Sequence, residues 1–241
     1  RFDRAEARQR SNDRPAGIPD DARLASKYPY INESGEILFE VHRYEWIEEG
    51  KKKKTFRQRA ASGAWSVKGI KQIPYRLPEL IEAIGAGYTI FIVEGEKDVE
   101  NLSALGVPAT CNAMGAGKWP EELCEHFKGA DVVILPDNDD AGRKHRDHVA
   151  ASLHGIARNI RILDLPALPE KGDASDWIAS GGTAEALYDL VEKRAEEWPL
   201  KEKFKSHFHS HMSVLEQVSE KNFTKLRVIL LMANGDHTNP Q

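Results

Sequence analysis

Residues 87–163 alternate four short apolar runs with segments of helical spacing, and this alternation narrows the possible folds more than any other feature of the chain. The runs 89–93, 109–112, 131–135 and 159–163 are short and largely apolar, as expected of buried parallel strands. Between them, 98–105, 120–127 and 141–153 carry apolar residues at helical spacing. The alternation predicts an α/β fold, a parallel sheet flanked by helices, because parallel strands need a long crossover connection. Ligands of such sheets gather beyond the carboxyl ends of the strands, so the residues just after each strand matter most.

Upstream, 37–46 and 55–61 mix polar and apolar residues at strand-like spacing around the polar stretch 48–54, which predicts a β-hairpin. Pro74 and Pro78 punctuate a connection to a short helix whose apolar face is 80–84. Residues 1–27, rich in Arg, Asp, Pro and Gly, have almost no apolar periodicity and read as a linker or disordered terminus. The expected organisation is therefore 1–27 linker, 28–87 β-rich basic subdomain, 88–182 catalytic domain and 183–241 helical carboxyl-terminal segment. An amphipathic helix is expected over 183–198 within the last of these.

With 34 basic against 38 acidic residues the formal charge is -4, which excludes a uniformly basic nucleic-acid coat and requires any such surface to be local. Cys111 and Cys124 are too few for a disulfide framework and lack the short pairing of a zinc site, which fits a reducing, cytoplasmic setting. No apolar run approaches the roughly 20 residues needed to cross a bilayer, so no membrane association is expected.

Glu94 directly follows one apolar run, and Asp137 and Asp139 follow another, so the three acids emerge at the same sheet edge. In an extended turn Asp137 and Asp139 can aim at one cation while Asn138 points elsewhere. Left without a cation, clustered carboxylates repel and raise at least one pKa. Any single Asp here is as readily a helix cap, Asp140 above all.

Two stretches carry a specific likeness. Glu94-Gly95-Glu96-Lys97-Asp98 and Asp137-Asn138-Asp139-Asp140-Ala141-Gly142 resemble the two signature motifs of Toprim domains, which occur in topoisomerases, primases and some nucleases. The run 137–145, followed by Lys171-Gly172-Asp173-Ala174-Ser175-Asp176-Trp177, is most similar to primases of phages and plasmids, often fused to a helicase. Phe56-Arg57-Gln58-Arg59 and Tyr75-Arg76-Leu77-Pro78-Glu79-Leu80 resemble that group's amino-terminal subdomain.

The resemblance spans about 28–182 and implies a Toprim, Rossmann-like parallel sheet preceded by a small β-rich subdomain. It implies a DNA primase: metal-dependent nucleotidyl transfer that makes primers on single-stranded DNA from nucleoside triphosphates, with a replicative helicase domain or subunit as partner. Glu94 would be metal ligand or general acid/base, and Asp137 and Asp139 ligands of Mg²⁺ or Mn²⁺, two ions in all. Asp98 would support them, Gly95 and Gly142 would permit close approach, and Asp173 and Asp176 would complete or orient a second cation site. Arg57, Arg59, Arg76, Lys97, Lys118 and Lys144 would meet template or nucleotide phosphate. A Toprim nuclease, or an inactive nucleic-acid-binding module, would share these carboxylates, and the basic amino-terminal hairpin favours the primase. The zinc module and helicase common in such primases are not legible in this sequence.

Other features carry less. Lys51 to Lys54, near Tyr44, Trp46, Phe56 and Trp65, suit a single strand, yet lysines at a hairpin tip more often protect an edge. Gly115-Ala116-Gly117-Lys118 is not a Walker loop, since Asn112 stands at its first glycine and Trp119 at its Ser or Thr. His207, His209 and His211 are expected to be a solvated polar segment, and 228–232 an apolar packing run.

Overall fold

A computed structural model of the chain describes residues 14–113 and 115–199. The histidine cluster at 207–211 and the apolar run at 228–232 lie outside these residues.

The first sheet is antiparallel, with β1 (Arg23–Ile31), β2 (Ile37–Glu48) and β3 (Lys51–Ala60) in sequential order. It is a meander rather than the expected hairpin, and β1 begins at Arg23, inside the stretch read as a linker. Pro29 obscures that strand in the sequence, but it sits on an edge, where a missing N–H is tolerated. Asn32 closes the first turn, its Oδ1 accepting from the N–H groups of Ser34 and Glu36. The second turn is only Glu49 and Gly50, with φ of 50° and 72°, as a type I′ hairpin turn requires. So tight a turn draws Lys51 to Lys54 out of the expected loop and into β3, opposite Glu48 to Glu45.

Tyr28, Tyr30, Phe39, Val41 and Ala60 have one parity in the register and turn towards the rest of the molecule, whereas Tyr44 on the other face packs with Ile18 and Ala22. A connection through Ile73 and Tyr75 leads to α1 (Leu77–Gly85), which Pro78 opens from its first turn.

The second sheet contains β4 (Ile90–Ile92), β5 (Ala109–Thr110), β6 (Asp131–Ile134), β7 (Asn159–Ile162) and β8 (Glu196–Glu197), in the spatial order β5-β4-β6-β7-β8. The first four are parallel and β8 runs antiparallel to β7. The connections contain α2 (Glu96–Ala104), a 3₁₀ helix (Glu121–Phe127), α3 (Asp140–Leu153), α4 (Ala174–Ala179) and α5 (Ala184–Arg194). The expected helix at 120–127 is thus the tighter 3₁₀ form, and α4 is an addition. From β4 the chain passes to β5 on one side, then returns to β6 on the other. This reversal opens a crevice between the carboxyl ends of β4 and β6.

One core serves both sheets. Tyr30 stacks on Phe39 with centroids 4.5 Å apart and lies 5.2 Å from Tyr75, and these rings share a single buried cluster with Ile90, Phe91 and Val133. Among the described residues no helix is long and apolar enough to cross a membrane.

Candidate active site

Glu94 lies two residues beyond β4 and Asp137 three beyond β6, and the parallel register of Ile92 with Ile134 brings both to the crevice. The Asp137 N–H points at Glu94 Oε1, 3.4 Å away. Glu94, Asp98, Asp137 and Asp173 line one cavity of about 270 Å³, together with Glu96 and Lys97. Asp98, in the first turn of α2, accepts from the Ser175 N–H at 3.0 Å and from its hydroxyl, and Asn101 Nδ2 donates to that same hydroxyl at 2.7 Å. These bonds tie α4 to α2. Asn138 fastens the loop before α4: its amide donates to the carbonyls of Leu168 and Pro169 at 3.0 and 2.9 Å, and its N–H to the Gly172 carbonyl at 2.9 Å. Asp173 reaches the cavity by this anchorage.

The electrostatics follow from crowding in a half-buried place. Burial first, then Glu94, Asp98, Asp173 and Asp139, pushes Asp137 up to about 8. Glu94 is also raised, burial outweighing its bond from the Asp137 N–H and the charges of Asp139 and Asp98 adding to it. Asp98 is raised because burial exceeds the help of Ser175, and Asp173 pushes further the same way. Behind them Glu96, buried and accepting from the Tyr30 hydroxyl at 2.9 Å, is raised chiefly by burial.

Residues 91–194 match the family model described as Toprim-like. The matched segment runs from β4 through α5 and contains Glu94, Asp98, Asp137 and Asp173. The fold is similar to a DNA primase domain from Pseudomonas aeruginosa, at 20% identity and a TM-score of 0.54, covering 81% of this chain and 61% of that one. It is also similar to the zinc-binding and RNA polymerase domains of Aquifex aeolicus primase, at 21% identity and a TM-score of 0.56, covering 88% and 50%. A DnaG primase catalytic domain bound to ssDNA matches at 20% identity and a TM-score of 0.52, covering 71% and 51%. The chain thus spans 50–61% of the length of these structures, and the likeness is one of fold. No curated protein matches the sequence.

Hard oxygen donors and carboxylates held above their usual pKa make the cavity fit a divalent cation. Among the described residues no three His, Cys, Asp or Glu groups converge closely enough to enclose an ion unaided. Mg²⁺ does not need such a cage, since one or two carboxylates hold it while water and substrate phosphates complete the shell.

The other expected acids have local partners. Asp139 caps α3, its Oδ1 accepting from the Gly142 N–H at 2.8 Å, yet it remains near enough to raise Asp137 and Glu94. Asp173 and Asp176 form a reciprocal capping box on α4, at 2.8 and 3.1 Å, and Asp176 is exposed and does not line the cavity. Asp140 is exposed and pairs with Arg143. A Cβ on Gly142 would lie 2.3 Å from the Asp137 carbonyl oxygen and 2.8 Å from Glu94 Oε1, so this glycine serves the approach of α3 to the Asp137 backbone. Gly95 caps α2 in extended conformation, with Asp98 Oδ2 close by.

Of the expected basic residues Lys97 lines the cavity. Lys118 and Lys144 are exposed and lie outside its lining, and Arg76 pairs with Glu79 and Glu100 at the start of α1. Arg57 bonds Thr55 and the Phe56 carbonyl, and lines an adjoining groove with Gln58, Trp65 and Lys68. Arg59 bonds the Gly63 carbonyl and lies over the Trp65 ring. The cavity is instead faced by Arg43, Lys54 and Phe56 from β2 and β3. Parity could have found Arg43, which continues the inward series Phe39, Val41. The Gly115–Lys118 stretch is held down by Asn112, whose amide donates to the carbonyls of Gly115 and Lys118, and by the Gly117 N–H donating to His145 Nδ1 at 3.0 Å. A phosphate loop would need that N–H free.

Proposed function

We propose that this chain makes primers on single-stranded DNA by metal-dependent nucleotidyl transfer. The observation that carries this reading is a cavity with two unlike walls. Glu94, Asp98, Asp137 and Asp173 stand on one side, and Arg43, Lys54 and Phe56 from the amino-terminal sheet on the other. A nucleoside triphosphate with its cations needs both kinds of wall at once. Solved structures of this fold described as primases, one of them bound to ssDNA, support the same reading.

Glu94 and Asp137, with Asp98 and Asp173 around them, would hold Mg²⁺ or Mn²⁺, two ions in all, and Asp139 would stay close while capping α3. Bound there, such ions neutralise a triphosphate and lower the pKa of an attacking hydroxyl. The chain's own residues orient the partners. Lys97, Lys54 and Arg43 attract phosphate into the cavity. Burial keeps the Glu94 carboxyl nearer neutrality than an exposed glutamate, which suits a group that must give and take a proton. The template would run along the groove of Arg57, Gln58, Trp65 and Lys68, which adjoins the cavity through Val41, Phe56 and Ala113. A replicative helicase would deliver that strand.

The test is incubation with a single-stranded DNA, labelled nucleoside triphosphates and Mg²⁺ or Mn²⁺. Products should lengthen in proportion to triphosphate, and Glu94→Gln should suppress them. Template shortening that ignores triphosphate, and that Glu94→Gln also stops, would replace the primase with a nuclease.

A further inference from the structure

Phe56 stands out on the wall opposite the carboxylates, because it is a large apolar ring left 42% exposed beside a strongly charged cavity. Its strand partner is Arg43, whose guanidinium carbon lies 5.9 Å from the ring centroid. Glu45 grips that guanidinium by its edge, accepting from Nε at 2.8 Å and from Nη2 at 2.6 Å, which leaves the cation's flat face for the ring. Lys54 lies two residues before Phe56 in β3 and lines the same cavity. The ring is thus backed by a fixed cation and flanked by lysine, in a space also lined by Glu94, Asp98, Asp137 and Asp173.

We infer that Phe56 is the stacking platform for the base of a nucleoside triphosphate, with Arg43 fixing the ring and Lys54 meeting the phosphates. This rests on the proposed function and names the residue that would recognise the base. Three demands decide the ligand's chemistry. The carboxylates require a cation, Lys54 and Lys97 require an anion, and the exposed ring requires a flat apolar partner, and a metal-bound nucleoside triphosphate meets all three. Stacking tolerates every base, so the platform confers affinity without choosing among them.

The experiment is calorimetric titration of the full 241-residue chain, with Mg²⁺ present, against ATP, inorganic triphosphate and a short single-stranded DNA. Phe56→Ala should weaken ATP roughly 5- to 100-fold and leave triphosphate unchanged, while Phe56→Trp restores ATP. Circular dichroism melting should be nearly unaltered, because the ring is a surface residue of β3. If the wild type binds ATP and Phe56→Ala binds it equally well, the inference is overturned while the metal site stands. If Phe56→Ala weakens the DNA and not ATP, the ring serves a template base and the inference is likewise overturned. If the wild type binds neither ATP nor triphosphate, the proposed function falls and takes the platform with it.

Discussion

Asp137 sits where burial and four neighbouring carboxylates act together, and its pKa of about 8 makes it a reporter of the whole cavity. Its unfolded pKa is near 3.9, so the stability that its protonated form contributes is fully present below about pH 4 and is lost as pH rises through about 8. Asp137→Asn should therefore raise the melting temperature of metal-free protein at pH 8 by roughly 2–6 °C, allowing for partial solvent screening. At pH 4 it should change little. Added Mg²⁺ should stabilise the wild type and not the variant, and nucleotidyl transfer by the variant should fall more than about 100-fold. Melting curves across pH, with and without Mg²⁺, check this; a variant less stable than wild type at pH 8 would remove the case for uncompensated charge. Asp139 can be dissected in the same way, since Asn caps a helix as well as Asp and Ala does not. Asp139→Asn should keep the melting temperature and lose activity if the group also serves the metal, whereas Asp139→Ala should lose about 1 kcal/mol as well. Equal activity of Asp139→Asn and wild type would confine Asp139 to its cap. At this scale Glu94 and Asp137 were legible because each follows an apolar run, whereas Asp98 and Asp173 were reached only through the resemblance. Arg43 was not singled out, although its parity with Phe39 and Val41 in β2 carried the signal.

Among the elements, α4 matters most to the cavity and was least visible beforehand. Six residues make less than two turns, too few for a periodic signal. It forms because Asp173 and Asp176 cap it reciprocally and because Ser175 is bonded to Asp98 in α2. Its position depends on Asn138, which spends its side chain on the carbonyls of Leu168 and Pro169. Asn138→Ala should loosen the loop and α4, seen as faster amide exchange over 168–179, and weaken Mg²⁺ binding by about 10- to 100-fold. Unaltered exchange would mean that Ser175 alone holds the helix. The buried strands of the parallel sheet read clearly because apolar runs bounded by glycine are hard to place elsewhere, whereas β1 was concealed by Pro29 and by the polar residues of an edge strand.

At the scale of the described molecule, the shared core means that the amino-terminal sheet and the parallel sheet with its helices stand or fall together. Tyr30 is fully buried, stacked on Phe39 and bonded to Glu96, so Tyr30→Ala should cost about 3–5 kcal/mol. Tyr30→Phe should cost about 1–3 kcal/mol, since Glu96 loses its donor. Denaturant unfolding should remain a single transition in both, and a separate early transition for the sheet would contradict a common core. The bond from Tyr30 to Glu96 has one more consequence. It fastens the sheet bearing Arg43, Lys54 and Phe56 to the helix bearing Asp98, so the gap between the two walls is set when the chain folds. A gap fixed in this way would act as a gauge for the proposed ligand: it would be accepted by its length from charge to ring, and one too short to touch both sides would gain nothing from the far one.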